Sequence, residues 1–274
     1  MRFIDAHIHL ADHSYAQNIG EIIEDSKRAN VLALIANSTN LESSHKSLHL
    51  AEEYPELVYA ALGIHPWNTK ELKDNEVDDV SNLIINNLKH EQRLIAIGEI
   101  GLDSSYSGTG EPTEIQIDVF QKMLKLAEKT GLPVIIHSRG ATKQIVDMLP
   151  SYEIKKILLH WFSQPHSLIP KIIDRGYFIS EGPTIVYSKG IQEIVKQIPL
   201  TNLLTETDGP VPFRGPFNKQ QTTPSFIPTV IETISQLRKQ EKKVVSEQIF
   251  LNFIDFFGLP GVRDKRYDAG FIYK

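Results

Sequence analysis

Short apolar runs rich in branched residues recur along the chain at Phe3 to Ile8, Val31 to Ala36, Leu57 to Leu62, Leu94 to Gly98, Val134 to His137, Ile157 to His160, Tyr177 to Ser180 and Leu203 to Thr207. Their length and their polar or turn-forming borders predict about eight strands. Between them apolar residues fall three or four apart, as in Ile19, Ile22, Ile23, Ser26 and Ala29, or in Ile117, Phe120, Met123, Leu124 and Ala127, and so share one helical face. Strand alternates with helix throughout. Runs such as KKILLH and LPVIIH are apolar toward both sides, the habit of parallel strands covered by helices on each face. The pattern predicts an α/β fold, a (β/α)8 TIM barrel in a single domain spanning 1–274, with its strands within residues 2–210. An open doubly wound sheet is the structural alternative. From Pro224 to Leu259 two further helices are expected to pack back on the barrel, with Ser246 as N-cap for the Ile249, Phe250, Phe253, Ile254 and Phe257 stripe and a short tail over 260–274. The stretch SSYSGTGEP, Ser104 to Pro112, reads as a loop too short to divide domains.

Composition narrows the chemistry. The 274 residues include no Cys, so disulfides, thiolate metal sites and cysteine nucleophiles are excluded, and any metal must be held by nitrogen and oxygen. With 29 Lys and Arg against 34 Asp and Glu the formal charge is −5, which argues against a broad basic face. A local metal site can still attract phosphate, so nucleic acid would be engaged at that site. No apolar signal core precedes Phe3 and no run approaches the roughly 18 apolar residues of a membrane span, which predicts a cytoplasmic protein with no membrane partner and a monomer as default. Asn37-Ser38-Thr39 fits a glycosylation sequon but, without a secretory signal, reads as a loop.

In a parallel barrel the C-terminal strand ends meet at one mouth, so residues far apart in the chain converge there. His7 and His9 end the first predicted strand, His65 follows the third, Glu99 ends the fourth, His137 the fifth, His160 the sixth and Asp208 the eighth. His7 and His9 alternate on one side of a strand, where two imidazoles can bind one metal; the plain alternative is two polar residues at a strand end. Glu99 lies between apolar neighbours, where a carboxylate needs a cation or several hydrogen bonds. Asp208 precedes a Gly-Pro turn and could simply cap it. Jointly, four His and two carboxylates form the nitrogen and oxygen set of a two-metal hydrolytic centre. Trp67, after Gly63-Ile64-His65-Pro66, could stack on a base or merely pack. His90-Glu91 begins like a zincin motif, but Leu94 stands where the second His would be. His13, His45, His49 and His166 read as solvent-facing polar residues.

The motifs DAHIHL (5–10), GIHPW (63–67), IGEIGLD (97–103), IHSRGA (136–141), LHWFSQ (159–164) and TETDGP (205–210), spread in order over the chain, resemble the TatD family of metal-dependent deoxyribonucleases. The resemblance implies a barrel whose divalent-metal ligands are His7, His9, Glu99, His137, His160 and Asp208, and hydrolysis of DNA phosphodiesters from a 3′ end. The scheme it suggests has Glu99 bridging two ions (Zn, Mg, Mn, Co or Ni), His7, His9 and Asp208 on one, and His137 and His160 on the other. Asp208 is then the general base with Glu99 beside it in catalysis; His65, Trp67 and Arg139 contact substrate, and Glu206 orients a ligand His. Trp161 and Gln164 depart from the family's small residue and Gly, and GLD is followed by Ser104-Ser105-Tyr106 rather than an immediate Tyr, differences that bear on substrate shape. The rivals are hydrolysis of another ester or amide, such as a D-aminoacyl-tRNA or a lactone, and a non-catalytic metal-binding protein.

Overall fold

A computed structural model describes residues 1–88, 93–106 and 108–259; the His90-Glu91 pair, Ser107 within the loop after the fourth strand, and the tail over 260–274 lie outside the described residues. Eight parallel strands follow one another in sequence order around one sheet: β1 (Phe3–Ile8), β2 (Val31–Asn37), β3 (Val58–Leu62), β4 (Leu94–Gly101), β5 (Val134–His137), β6 (Ile157–Leu159), β7 (Phe178–Glu181) and β8 (Leu203–Thr205). The helices described between and after them are α1 (Ile19–Arg28), α2 (Leu41–Glu53), α3 (Glu76–Asn87), α4 (Glu114–Thr130), α5 (Thr142–Met148), α6 (Ile169–Asp174), α7 (Lys189–Gln197), α8 (Ile227–Arg238) and α9 (Lys242–Phe257). This is the expected TIM barrel, and the open-sheet alternative is set aside. Among the described residues no helix is long and apolar enough to cross a membrane.

Local chemistry explains the elements. The side chain of Thr113 accepts a hydrogen bond from the Gln116 N–H to start α4, whose Val119, Phe120, Met123, Leu124 and Ala127 are buried against the sheet. Gly131 ends that helix in the left-handed conformation that lacks a Cβ penalty. Strand residues such as Ile97, Ile135 and Leu158 are wholly buried, as a sheet with helices outside and side chains inside requires.

Three expectations are corrected. Ser246 lies inside α9, not at its start; its hydroxyl donates to the carbonyl of Arg2 at 2.5 Å, tying the helix to the entry of β1. Helix periodicity placed the apolar stripe correctly but could not show that the serine's partner is more than two hundred residues away. Asn37 is no loop residue: it closes β2 and is buried. Glu99 sits inside β4 rather than at its end, because the strand runs on to Gly101.

Strands β8 and β1 close the barrel through their continuations. The Asp208 N–H donates to the His7 carbonyl and the His9 N–H to the Gly209 carbonyl, each at 2.8 Å. The buried Asp5 carboxyl accepts from the N–H groups of His7 (3.2 Å) and Thr207 (3.0 Å) and meets the Thr207 hydroxyl at 2.5 Å. Burial, opposed by those bonds, raises its pKa from 3.8 to about 8. Asp5→Ala strands three buried polar groups and should cost about 3 kcal/mol in urea unfolding, with Asp5→Asn much milder. Because the folded pKa lies above the unfolded one, the stability that Asp5 contributes is complete below about pH 4 and is lost as pH rises through 8; Asp5→Asn should remove that dependence.

Candidate metal centre

The mouth gathers its polar residues by backbone geometry. His7 and His9 project together from the end of β1, with ring nitrogens Nε2 3.3 Å apart. Gly101 has φ 151°, and a Cβ there would fall 2.0 Å from the His137 carbonyl, so only glycine lets β4 run this close to β5 and bring Glu99 beside His137. Asp208 adopts φ 49° just past β8, turning its carboxylate toward β1.

Glu99, 1% exposed, stands at the centre with a different set of imidazoles around each oxygen. Its Oε2 lies 3.3 Å from His7 Nε2 and 3.1 Å from His9 Nε2, and these nitrogens lie 3.3 and 3.4 Å from Asp208 Oδ1. Its Oε1 lies 2.9 Å from His137 Nδ1, 2.7 Å from His160 Nε2 and 3.3 Å from His65 Nε2. Ligand atoms about 2.0–2.1 Å from a tetrahedral cation stand about 3.3 Å apart, so the first set matches a metal cage closely. Glu99 Oε2 is buried without a hydrogen bond, a position that suits a carboxylate lone pair facing a cation.

Hydrogen bonds on the far side of the rings decide which nitrogen offers a lone pair. His9 Nδ1 lies 3.2 Å from the Asn37 carbonyl, which can only accept, so Nδ1 carries the proton and Nε2 is left to coordinate. His137 Nε2 lies 2.8 Å from Asp103 Oδ2, which likewise turns its Nδ1 lone pair inward. His65 is the reverse case. Its Nδ1 accepts the Trp67 N–H at 3.1 Å, so the neutral ring carries its proton on Nε2 and presents a donor, not a lone pair, to the centre. Burial lowers its pKa to about 4 and keeps it neutral. His65 therefore stands among atoms of ligand spacing but has the tautomer of a hydrogen-bond donor.

The electrostatics follow from crowding. Burial opposes ionisation of Glu99, yet the imidazoles of His65, His160 and His7 outweigh it and hold the carboxyl well below its usual range. Asp208 is lowered in the same way, its burial overcome by hydrogen bonding to His7 and His9. Conversely, burial disfavours a charged His9, but Asp208 and Glu99 raise its pKa to about 10, so a cation at Nε2 would displace the proton held there.

The remaining sequence candidates fall around this core. Trp67 is exposed beside it, and its Nε1–H donates to Asp103 Oδ2 at 2.7 Å. Arg139 is exposed two residues beyond His137, and its carbonyl accepts the Ser104 N–H. Glu206 is buried with Oε1 3.6 Å from His160 Nδ1, too far for a hydrogen bond, while its Oε2 accepts from the Ser180 hydroxyl at 2.5 Å. Sequence reading missed Asp103, Asn37 and Glu181. Asp103 closes the IGEIGLD motif, and its signal was a carboxylate directly after the apolar Ile100-Gly101-Leu102. The partner in Asn37 is a backbone carbonyl, which leaves no mark on residue identity. Glu181 is a buried acid at the end of β7, pushed well above its usual range by burial and by Glu206.

An eight-stranded parallel barrel whose mouth converges histidines and carboxylates on a buried glutamate defines a metal-dependent hydrolase. The model of the family described as TatD related DNase matches residues 4–258, and the chain belongs to that family. It is 34% identical over 261 residues to the human deoxyribonuclease TATDN3, covering 93% of this chain and 94% of that protein. It is 31% identical to the metal-dependent hydrolase MJ1582 of Methanocaldococcus jannaschii, covering 94% and 97% of the two chains. Among solved structures, the TatD homologue YjjV of Escherichia coli superposes with a TM-score of 0.86 at 28% identity, over 94% of this chain and 99% of that one.

Asp103→Asn keeps the side chain's size but exchanges a charged acceptor for an amide at the atom shared by His137 and Trp67. It should weaken divalent-metal affinity by about 10–100-fold while the thermal unfolding of metal-free protein shifts little; calorimetric titration with Zn or Mn measures the first.

Proposed function

We propose that this protein is a deoxyribonuclease of the TatD type, hydrolysing phosphodiester bonds from the 3′ end of single-stranded DNA at a centre of two divalent cations. One observation carries the reading: the two oxygens of a single buried carboxylate, Glu99, face two separate groups of imidazoles. The human relative's name as a deoxyribonuclease supports DNA as the substrate. His7, His9, Asp208 and Glu99 Oε2 would hold one ion; His137, His160 and Glu99 Oε1 would hold the other. Such a pair supplies Lewis acidity toward the phosphoryl oxygen and a nucleophilic water near neutral pH.

The chain's own groups handle orientation and protons. Asp208, ionised at neutral pH and 7% exposed, accepts the proton of the attacking water, while the hydrogen bond from its backbone N–H to the His7 carbonyl keeps it aimed. Glu99 stays ionised throughout and keeps the two imidazole groups in register. His65 donates its Nε2–H to a phosphoryl oxygen as charge builds there, an arrangement that needs no reorganisation because the Trp67 N–H already fixes the ring. Arg139 offers a guanidinium fork that suits a phosphate from the exposed end of β5.

Metal analysis of the purified protein, coupled to assay on 3′-labelled single-stranded DNA, tests the proposal. Wild type should release mononucleotides only with divalent metal, Asp208→Asn should lower kcat by about 10²–10⁴-fold, and Glu99→Gln should lower both metal content and activity. Turnover of esters or lactones without cleavage of DNA would refute the assigned substrate, and no turnover at all would leave the non-catalytic rival.

A further inference from the structure

Aromatic side chains gather beside the metal centre in a way the hydrolytic chemistry does not use. Trp67 and Tyr106 are 43% and 40% exposed, yet they stack on one another with ring centroids 5.7 Å apart and planes inclined by 22°. They come from different loops, Trp67 from the turn after β3 and Tyr106 from the loop after β4. Lys70 joins those loops: its Nζ lies 4.4 Å from the centre of the Tyr106 ring and donates to the Tyr106 carbonyl at 3.1 Å. Two large rings left in water at such a cost in apolar exposure need a reason, since their partner could have been the core.

The patch is mechanically part of the centre. The Asp103 oxygen that accepts the Trp67 indole N–H at 2.7 Å also accepts His137 Nε2–H at 2.8 Å. The Trp67 ring lies 5.0 Å from the His65 ring and 6.1 Å from the His137 ring. A pinned aromatic pair, with the Lys70 ammonium over the Tyr106 ring and the exposed Trp67 one ring's width from the residues assigned to the phosphate, matches a nucleoside phosphate: base on the aromatic pair, phosphate at the centre, next phosphate near Lys70.

We propose that Trp67, Tyr106 and Lys70 form a stacking subsite for the nucleobase adjoining the scissile phosphate of single-stranded DNA. The subsite rests on the proposed nuclease reading and deepens it. Stacking accepts any base because every base has a π face, so the subsite selects for an unpaired end rather than for a sequence. Duplex DNA, whose bases are already stacked and paired, would have to fray before its last base could reach the platform. Binding of this kind also suits an acidic chain, because it draws affinity from one stacked base and one or two phosphates instead of a broad basic face.

The test uses the metal-loaded enzyme and two oligodeoxynucleotides, one ordinary and one carrying a tetrahydrofuran abasic residue in place of each of its two 3′-terminal nucleosides. Wild type should lose about tenfold in kcat/KM on the abasic strand. Tyr106→Ala should lose about tenfold on the ordinary strand and nothing further on the abasic one, and Tyr106→Phe should behave as wild type on both. Equal losses for Tyr106→Ala on both strands, or none on either, would overturn the subsite. Trp67 fluorescence, read in a Trp161→Phe background, provides a measurement independent of turnover: titration with the ordinary strand should quench it and titration with the abasic strand should not. If wild type cleaves neither strand but this base-dependent quenching persists, the nuclease reading fails and the subsite stands; absence of quenching by the ordinary strand overturns the subsite.

Discussion

A carboxylate buried in the mouth of a barrel is costly unless something positive or hydrogen-bonding surrounds it, and most of the site can be understood as the surroundings of Glu99. With 1% of its surface exposed, it cannot be solvated by water. It is instead enclosed by imidazoles from β1, β5 and β6 and the turn after β3, and this requires four separate chain segments to end at the same depth. The glycine at position 101 serves that requirement, since any side chain there would collide with the His137 carbonyl and push β4 away from β5. The barrel seam serves it as well, because the bonds that join β8 to β1 also carry Asp208 to His7.

A ring of histidines alone would be ambiguous chemistry. Each imidazole can present a donor or a lone pair, and the choice is made by groups behind the ring. The Asn37 carbonyl and the Asp103 carboxylate turn a lone pair of His9 and of His137 inward, whereas a backbone N–H turns His65 into a donor. One residue type thus fills two roles within a few ångströms. The same Asp103 oxygen links the His137 ring to an exposed indole, so that placement of that imidazole and placement of the aromatic surface are not independent.

The outer surface of the site reflects a different economy from its interior. Inside, charge is balanced by close opposites; outside, Trp67, Tyr106 and Lys70 remain in solvent, held by two bonds between loops. Rigid aromatic rings lose little entropy when something stacks on them, which makes an exposed but pinned pair a better binding surface than a flexible one.

Much of the protein is legible in its sequence. Alternating apolar runs and helical stripes specified eight parallel strands and the barrel, because periodicity reports directly which side of an element is buried. The absence of Cys and the clustering of His and acidic residues at strand ends pointed to a metal site of nitrogen and oxygen ligands. What residue order could not carry was anything that depends on a backbone group or on a distant partner. Ser246 looked like a helix cap and proved to be a tether to Arg2, since hydroxyl bonding depends on what lies opposite. Sequence spacing alone could not give His65 a different tautomer from His9 and His137, because a backbone N–H fixes it and every residue but proline has one. Asp103 and Tyr106 gained their partners only when the loops after β3 and β4 came together. The chain by itself determined the kind of fold and the kinds of atom available for chemistry; the tertiary structure decided which lone pairs face one another, because that is set by angles and distances among segments that meet only when the barrel closes.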